Sequence, residues 1–218
     1  MMAMDKLKVN PAKVDDRRPF YHAVKRLFDV VASACGLILL SPLFLLLIIL
    51  IKSEDGGPAF YSQERIGKDE KPFKMWKFRS MVVDADKMLD KLEDQNEIDG
   101  AMFKIKDDPR VTKIGHVIRK YSLDELPQLW NVLIGDMSLV GPRPPLPSEV
   151  EEYTDYDKQR LTVMTGCTGL WQVTRRSEAD FDEMVWLDIV YINHSGAFED
   201  LKLIVKTVLV MVHPNGAY

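Results

Sequence analysis

The sequence predicts an α-rich α+β domain associated with a membrane. Three observations lead there. An uncharged apolar run is broken by Ser41-Pro42, two aromatic-rich strand segments flank a hairpin loop, and most of the remainder carries short helical patterns. The expected organisation is a basic segment at 1–22, a re-entrant membrane helix at 23–52 and a larger domain at 53–218.

The apolar run is VVASACGLILLSPLFLLLIILI, residues 30–51. As one helix it would be roughly 33 Å long, enough to cross a hydrocarbon core of about 30 Å. It is too long for a cleavable signal, and no small-residue cleavage site precedes the globular part. Pro42 removes a helical hydrogen bond and clashes with the turn before it, so a kink is expected there. Two arrangements fit. The helix spans with a mild kink, or it bends sharply, dips into the bilayer and returns to the same face. In the second case the Ser41 hydroxyl can satisfy a carbonyl freed by the break. Lys6, Lys8, Lys13, Arg17, Arg18, Lys25 and Arg26 precede the run and argue for a cytoplasmic N-terminus. A spanning helix would then place the larger domain outside. That domain has no disulfide framework and carries residues suited to phosphates, so the re-entrant form is preferred.

Beyond the run, SEDGG is a turn signal. Ala59–Glu64 and Phe73–Arg79 read as strands, with 66–72 as the hairpin loop. Residues 82–94 have helical spacing, and 95–108 read as a polar loop with a short extended piece at 102–105. Thr112–Lys120 and Asp124–Leu133 are expected as short helices, and SLVGPRPPLP as irregular chain. Ser148–Leu161 reads as a charged helix, and TGCTGLWQV as a glycine-broken loop with a strand-like end. Ser177–Asn193 and Phe198–His213 read as two further helices. Within the last, LKLIVKTVLVMV is too short to span, and suits either a core or an interfacial helix.

The totals exclude several classes. A net charge of −4 does not make the chain as a whole a nucleic-acid binder. Cys35 and Cys167 form neither a disulfide scaffold nor a metal-ligand spacing, and the four histidines are scattered.

The chemistry, if any, gathers around SLDELPQLWNV at 122–132. Ser122 with Glu125 three residues on has the form of a capping box, in which Asp124 and Glu125 simply start a helix. Cations lie close in sequence or pattern. Arg119 is five residues upstream, and Arg143 is held in the rigid Pro142-Arg143-Pro144 run. Lys77 and Arg79 alternate on the second strand and share a face with Phe73, Met75 and Met81. Each cation is also compatible with a solvated surface charge. Two carboxylates without a histidine cannot run a serine-type triad. Adjacent positions are poorly arranged for glycoside hydrolysis. They suit phosphoryl transfer, with one carboxylate as nucleophile and the other binding Mg²⁺. Helix amides would then favour the phosphate and keep Asp124 ionised.

The ordered set KRLFD, the Ser-Pro-broken run, GGPAFYSQERIG, FKMWKFRSM, DPRVTKIG, IRKYSLDELPQLWNVLIGDMSLVGPRP, TGLWQV and the final GAY resembles the bacterial sugar transferase family, the small monotopic phosphoglycosyl transferases. The resemblance covers nearly everything after about residue 22. It implies transfer of a sugar 1-phosphate from a UDP-sugar to a membrane polyprenyl phosphate, such as undecaprenyl phosphate, with release of UMP. It implies Asp124 as nucleophile, Glu125 as its assistant through Mg²⁺, and Lys77, Arg79, Arg119 and Arg143 as phosphate holders. Ser41 and Pro42 become the break of a re-entrant helix, and 53–218 a cytoplasmic catalytic domain with interfacial helices on the bacterial inner membrane. Membrane lipids are implied partners, and the oligomeric state is left open, a homodimer included. A membrane-anchored scaffold and a phosphohydrolase remain the alternatives. One departure stands out: Thr165-Gly166-Cys167 replaces a loop that commonly carries Pro-Gly and an aliphatic residue. Larger relatives carry spanning helices and another domain upstream, so a minimal form is expected.

Overall fold

The computed structural model describes residues 7–14, 17–88, 108–175 and 179–212. Its first half contains α1 (Pro19–Leu39), α2 (Ser41–Asp55), β1 (Phe60–Ile66), β2 (Pro72–Phe78), α3 (Lys113–Lys120) and α4 (Gln128–Ile134). Then follow β3 (Ser138–Val140), α5 (Pro147–Glu151), β4 (Gly166–Thr168), α6 (Leu170–Thr174), α7 (Phe181–His194) and α8 (Ala197–Val212). The helix-rich architecture with one antiparallel hairpin agrees with the sequence expectation.

α1 and α2 meet at a bend of 59° at Leu40. The cause is local. Pro42 has no amide to offer the carbonyl four residues back, that of Ile38. The Ser41 hydroxyl donates to this same carbonyl at 2.7 Å. The ladder resumes at once, with the Phe44 amide donating to Leu40 at 2.9 Å. Among the described residues no single helix is long and apolar enough to cross a membrane, while the bent pair together has the length and composition.

Both arms are anchored to the domain. Buried Asp29 of α1 accepts from the Leu139 amide at 3.1 Å, and Arg26 donates to the Val132 and Leu133 carbonyls at 2.5 and 2.8 Å. On α2, Leu47 and Ile51 pack with Ala59, Phe78 and Ile118. Glu54 accepts from the Lys113 and Ile114 amides that open α3. The outer part of the pair leaves Ile38, Leu39, Leu45, Leu46 and Ile49 more than half exposed.

The hairpin register runs from Phe60 opposite Phe78 to Ile66 opposite Pro72. Several expected elements differ. The described part of 82–94 is a 3-10 turn at Ala85–Met88 rather than an α-helix, and 89–107, including the expected loop and extended piece, lies outside the described residues. Ser138–Val140, expected as irregular chain, is a strand parallel to Gly166–Thr168. The strand-like end of TGLWQV is instead α6. The helix expected over 148–161 is two pieces, because the Asp157 carboxylate takes the Thr154 amide and hydroxyl at 2.8 and 2.7 Å and closes a local turn. α7 starts at Phe181, where Asp180 caps the Glu183 amide.

α8 is amphipathic in an unusual sense. One side packs through Leu203 and through the Thr207 hydroxyl, 2.7 Å from Thr168 Oγ1. The other carries Phe198, Leu201, Val205, Val208, Leu209 and Val212, all more than half exposed at helical spacing. At its start Asp200 accepts from Tyr21 and Lys25 of α1 at 2.7 and 2.9 Å. These bonds tie the start of α8 to the start of α1.

Candidate functional site

Asp124 and Glu125 lie in a 3-10 turn, Leu123–Glu125, between α3 and α4. The capping box does not form. Ser122 is left-handed at φ 53°, ψ 27°, and its side chain caps nothing. α4 starts only at Gln128, so the helix expected from Asp124 begins later. Glu125 is freed from the cap and meets Lys77 of β2 instead, Oε1 to Nζ at 2.8 Å. A non-glycine residue costs about 1–2 kcal/mol in the left-handed region. Ser122→Gly is thus expected to raise the thermal midpoint, by the equivalent of about 1 kcal/mol. A working serine cap would give a lower midpoint.

Four cations face the two carboxylates. Lys77 and Arg119 act on Asp124, and Lys77, Arg143 and Arg65 act on Glu125. Arg119 donates from Nε to the Ser80 hydroxyl at 2.8 Å, which fixes its stem and leaves its terminal nitrogens uncommitted among the described residues. Arg143 stands over the Trp171 ring, 5.9 Å from its centroid. Its loop is held by its own carbonyls. Those of Pro142, Arg143, Pro144 and Pro145 accept from the Gly166 amide, Arg160, Arg65 and the Ile66 amide, at 2.9, 3.3, 3.2 and 2.9 Å. Arg160 is in turn fixed by buried Asp188 at 2.5 Å and by the Tyr153 hydroxyl at 2.9 Å.

Arg79 is placed elsewhere. It is buried, bound to both oxygens of Asp55 at 2.6 Å, and donates to the carbonyls of Pro58 and Met81 at 2.6 and 3.0 Å. These bonds lock the end of α2 to the end of β2, so Arg79 is committed to structure rather than turned to the carboxylates as expected. Arg65 was not singled out in the sequence. Only 6% exposed, it carries an Nε without a partner among the described residues and donates to the Pro144 carbonyl. Burial, with Arg143 nearby, lowers its pKa to about 10. The available signal was a charged residue closing an aromatic strand.

The two acids are driven apart. Burial pushes Asp124 up to about 6, helped by the Glu125 charge and opposed by Lys77 and Arg119. Helix amides do not keep it low, contrary to the sequence expectation. Burial also raises Glu125, but Lys77, Arg143 and Arg65 outweigh it and hold the group below its ordinary value. Such a split assigns different tasks to neighbouring carboxyls. At neutral pH Asp124 is ionised yet more basic than a free aspartate, as suits a carboxylate nucleophile. The surplus of positive charge favours a phosphorylated ligand. Cys167 packs with Met75, Val132 and Met137, and burial pushes its thiol up, away from reactivity.

Among the described residues no group of three or more His, Cys, Asp or Glu is placed to hold a metal. The two acids fit a Mg²⁺ only in the mode where substrate oxygens and water supply most ligands.

The profile described as bacterial sugar transferase matches residues 20–214. The galactosyl transferase CpsE of Streptococcus agalactiae serotype III is 47% identical over 88% of this chain and 43% of its own length. The undecaprenyl-phosphate galactose phosphotransferase of Salmonella typhimurium is 45% identical over 89% of this chain and 42% of its own length. The exopolysaccharide production protein ExoY of Rhizobium meliloti is 41% identical over 95% of this chain and 94% of its own length. The chain thus spans about two fifths of the first two relatives and nearly all of the third.

Proposed function

The chain belongs to the bacterial sugar transferase family, and from that premise we propose that it transfers a sugar 1-phosphate from a UDP-sugar to a membrane polyprenyl phosphate, undecaprenyl phosphate, with release of UMP. The observation that carries this is the split carboxylate pair facing Lys77, Arg119, Arg143 and Arg65, with the terminal nitrogens of Arg119 uncommitted among the described residues. Asp124 attacks the phosphorus that bears the sugar. An Asp124 oxygen–phosphorus bond forms, the bridging oxygen–phosphorus bond breaks, and UMP leaves with the electron pair. An oxygen of the polyprenyl phosphate then attacks the same phosphorus and releases Asp124. Lys77, Arg119 and Arg143 hold the phosphate charge through both steps. Glu125 would hold Mg²⁺, which when bound would supply charge neutralisation on the diphosphate. Glu125 keeps Lys77 aimed at the site.

The acceptor is a lipid, so the site belongs at a bilayer surface. The Ser41-Pro42 bend, the exposed apolar tip of α1 and α2 and the exposed stripe of α8 support a re-entrant, monotopic placement, and the basic residues before the run support the cytoplasmic face of the inner membrane. The undecaprenyl-phosphate and exopolysaccharide names of the relatives support the acceptor and the first membrane step of a surface glycan.

The test is UMP release from a panel of UDP-sugars, with Mg²⁺ and undecaprenyl phosphate in detergent or nanodiscs. Release of UMP with formation of the lipid-linked diphosphosugar is expected for one sugar class. Release of free sugar 1-phosphate without lipid product would make the protein a phosphohydrolase. No reaction with any donor would leave a scaffold.

A further inference from the structure

Asn131 is fully buried in α4, amid the apolar run LWNVLI. A buried carboxamide is costly unless its polar atoms are paired. Asn131 pairs them across elements. Its Oδ1 accepts from the Trp76 amide at 3.0 Å, and its Nδ2 donates to the Lys74 carbonyl at 2.7 Å and to Asp136 Oδ2 at 3.1 Å. β2 has β1 as its only neighbouring strand among the described residues, and Asn131 covers the other edge as a strand's peptide group would. The Asn131 backbone carbonyl takes the amides of Gly135, Asp136 and Met137, closing α4.

We propose that Asn131 is a positioning residue, which sets the register of β2 against α4 so that Lys77 meets Glu125. Lys77 follows Trp76 directly, and Glu125 lies three residues before α4. A two-stranded hairpin is marginal by itself, so contacts from neighbouring elements hold it in place. A slip of one residue along β2 would turn Lys77 to the opposite face. Glu125 would then lose its bonded partner and keep only the fields of Arg143 and Arg65, and Asp124 only that of Arg119. The packing of Met75 on Val132 and Met137 joins the same two elements and also opposes a one-residue slip, and Asn131 adds directional bonds at the strand edge.

The inference rests on the proposed transferase reading, and its test separates the two. Asn131→Ala is expected to lower kcat about 10²-fold, the scale of a small misplacement at a reacting centre. KM for the UDP-sugar should stay within about threefold, since Arg119 and Arg143 are untouched. In a Lys77→Met background the same change should cost less than about threefold, because both act through one contact. Amide exchange of the β2 segment at Trp76 should quicken. Val132→Ala, a core deletion on the same helix, should lower the melting temperature while leaving Trp76 exchange protected. Asn131→Asp keeps shape and acceptor but cannot donate to Lys74, and should lose activity in the same direction. Equal losses in both backgrounds, or unchanged kcat in folded Asn131→Ala, overturn the proposal. Failure of both Asn131 variants to fold assigns the residue to folding alone and overturns it too. Absence of UMP release in the unmodified protein sinks the transferase reading, and Trp76 exchange still decides the clamp.

Discussion

Asp124→Asn is expected to reduce UMP release at least about 10⁴-fold while the protein remains folded, because an amide oxygen cannot form the acyl phosphate. Its stability should move the other way. A carboxyl whose folded pKa is raised from 3.8 to about 6 is held less well as an anion than in the unfolded chain. It therefore destabilises the fold above about pH 6, and this penalty disappears as the pH falls through 6 toward values below 3.8. Asparagine removes the penalty. The variant should melt at or above the unmodified protein at pH 8, with the advantage shrinking at pH 4. Activity lost together with stability at pH 8 would return Asp124 to a purely structural role. Activity retained would move the nucleophile elsewhere.

Lys77→Met should have the second-largest effect, about 10²- to 10³-fold on kcat/KM at pH 7, the scale of losing one charge-stabilising donor. The pH dependence identifies the cause. With Asp124 titrating at about 6, the unmodified rate should fall tenfold per pH unit below that value. Lys77 is the largest influence opposing burial at both Asp124 and Glu125, so its removal raises both. The acid limb of kcat/KM should move up by about one unit, and part of the loss should be recovered at pH 8 to 9. A limb that stays in place, with less than a tenfold loss, would mean that Lys77 only packs.

What was legible in the sequence was what local chemistry decides. The Ser41-Pro42 break follows from one missing amide and one hydroxyl. The hairpin follows from two aromatic segments around a turn, and α3 from Thr112 capping the Gly115 amide. Non-local pairing misled the local signals. Ser122 and Glu125 have the spacing of a capping box, but a left-handed Ser122 and the reach of Lys77 take Glu125 away. Arg79 has the parity of a ligand-facing residue, yet Asp55, twenty-four positions away in the chain, claims it. β3 and β4 are three residues each and pair across a long crossover, which leaves no periodic trace. Arg65 and Asn131 were hidden for the same reason. Arg65 lies in the polar stretch SQER and Asn131 in the apolar run LWNVLI, and the value of each depends on a partner that sequence order does not name.

The central claim is that the phosphosugar passes through Asp124, and peptide mass spectrometry on acid-quenched enzyme tests it most directly. The protein is mixed with UDP-sugar and Mg²⁺ without any polyprenyl phosphate. The expected result is UMP released in an amount up to one equivalent, and a sugar-phosphate mass on the peptide containing Asp124 that disappears when undecaprenyl phosphate is added. UMP that forms only when acceptor is present, with no adduct on that peptide, would contradict it.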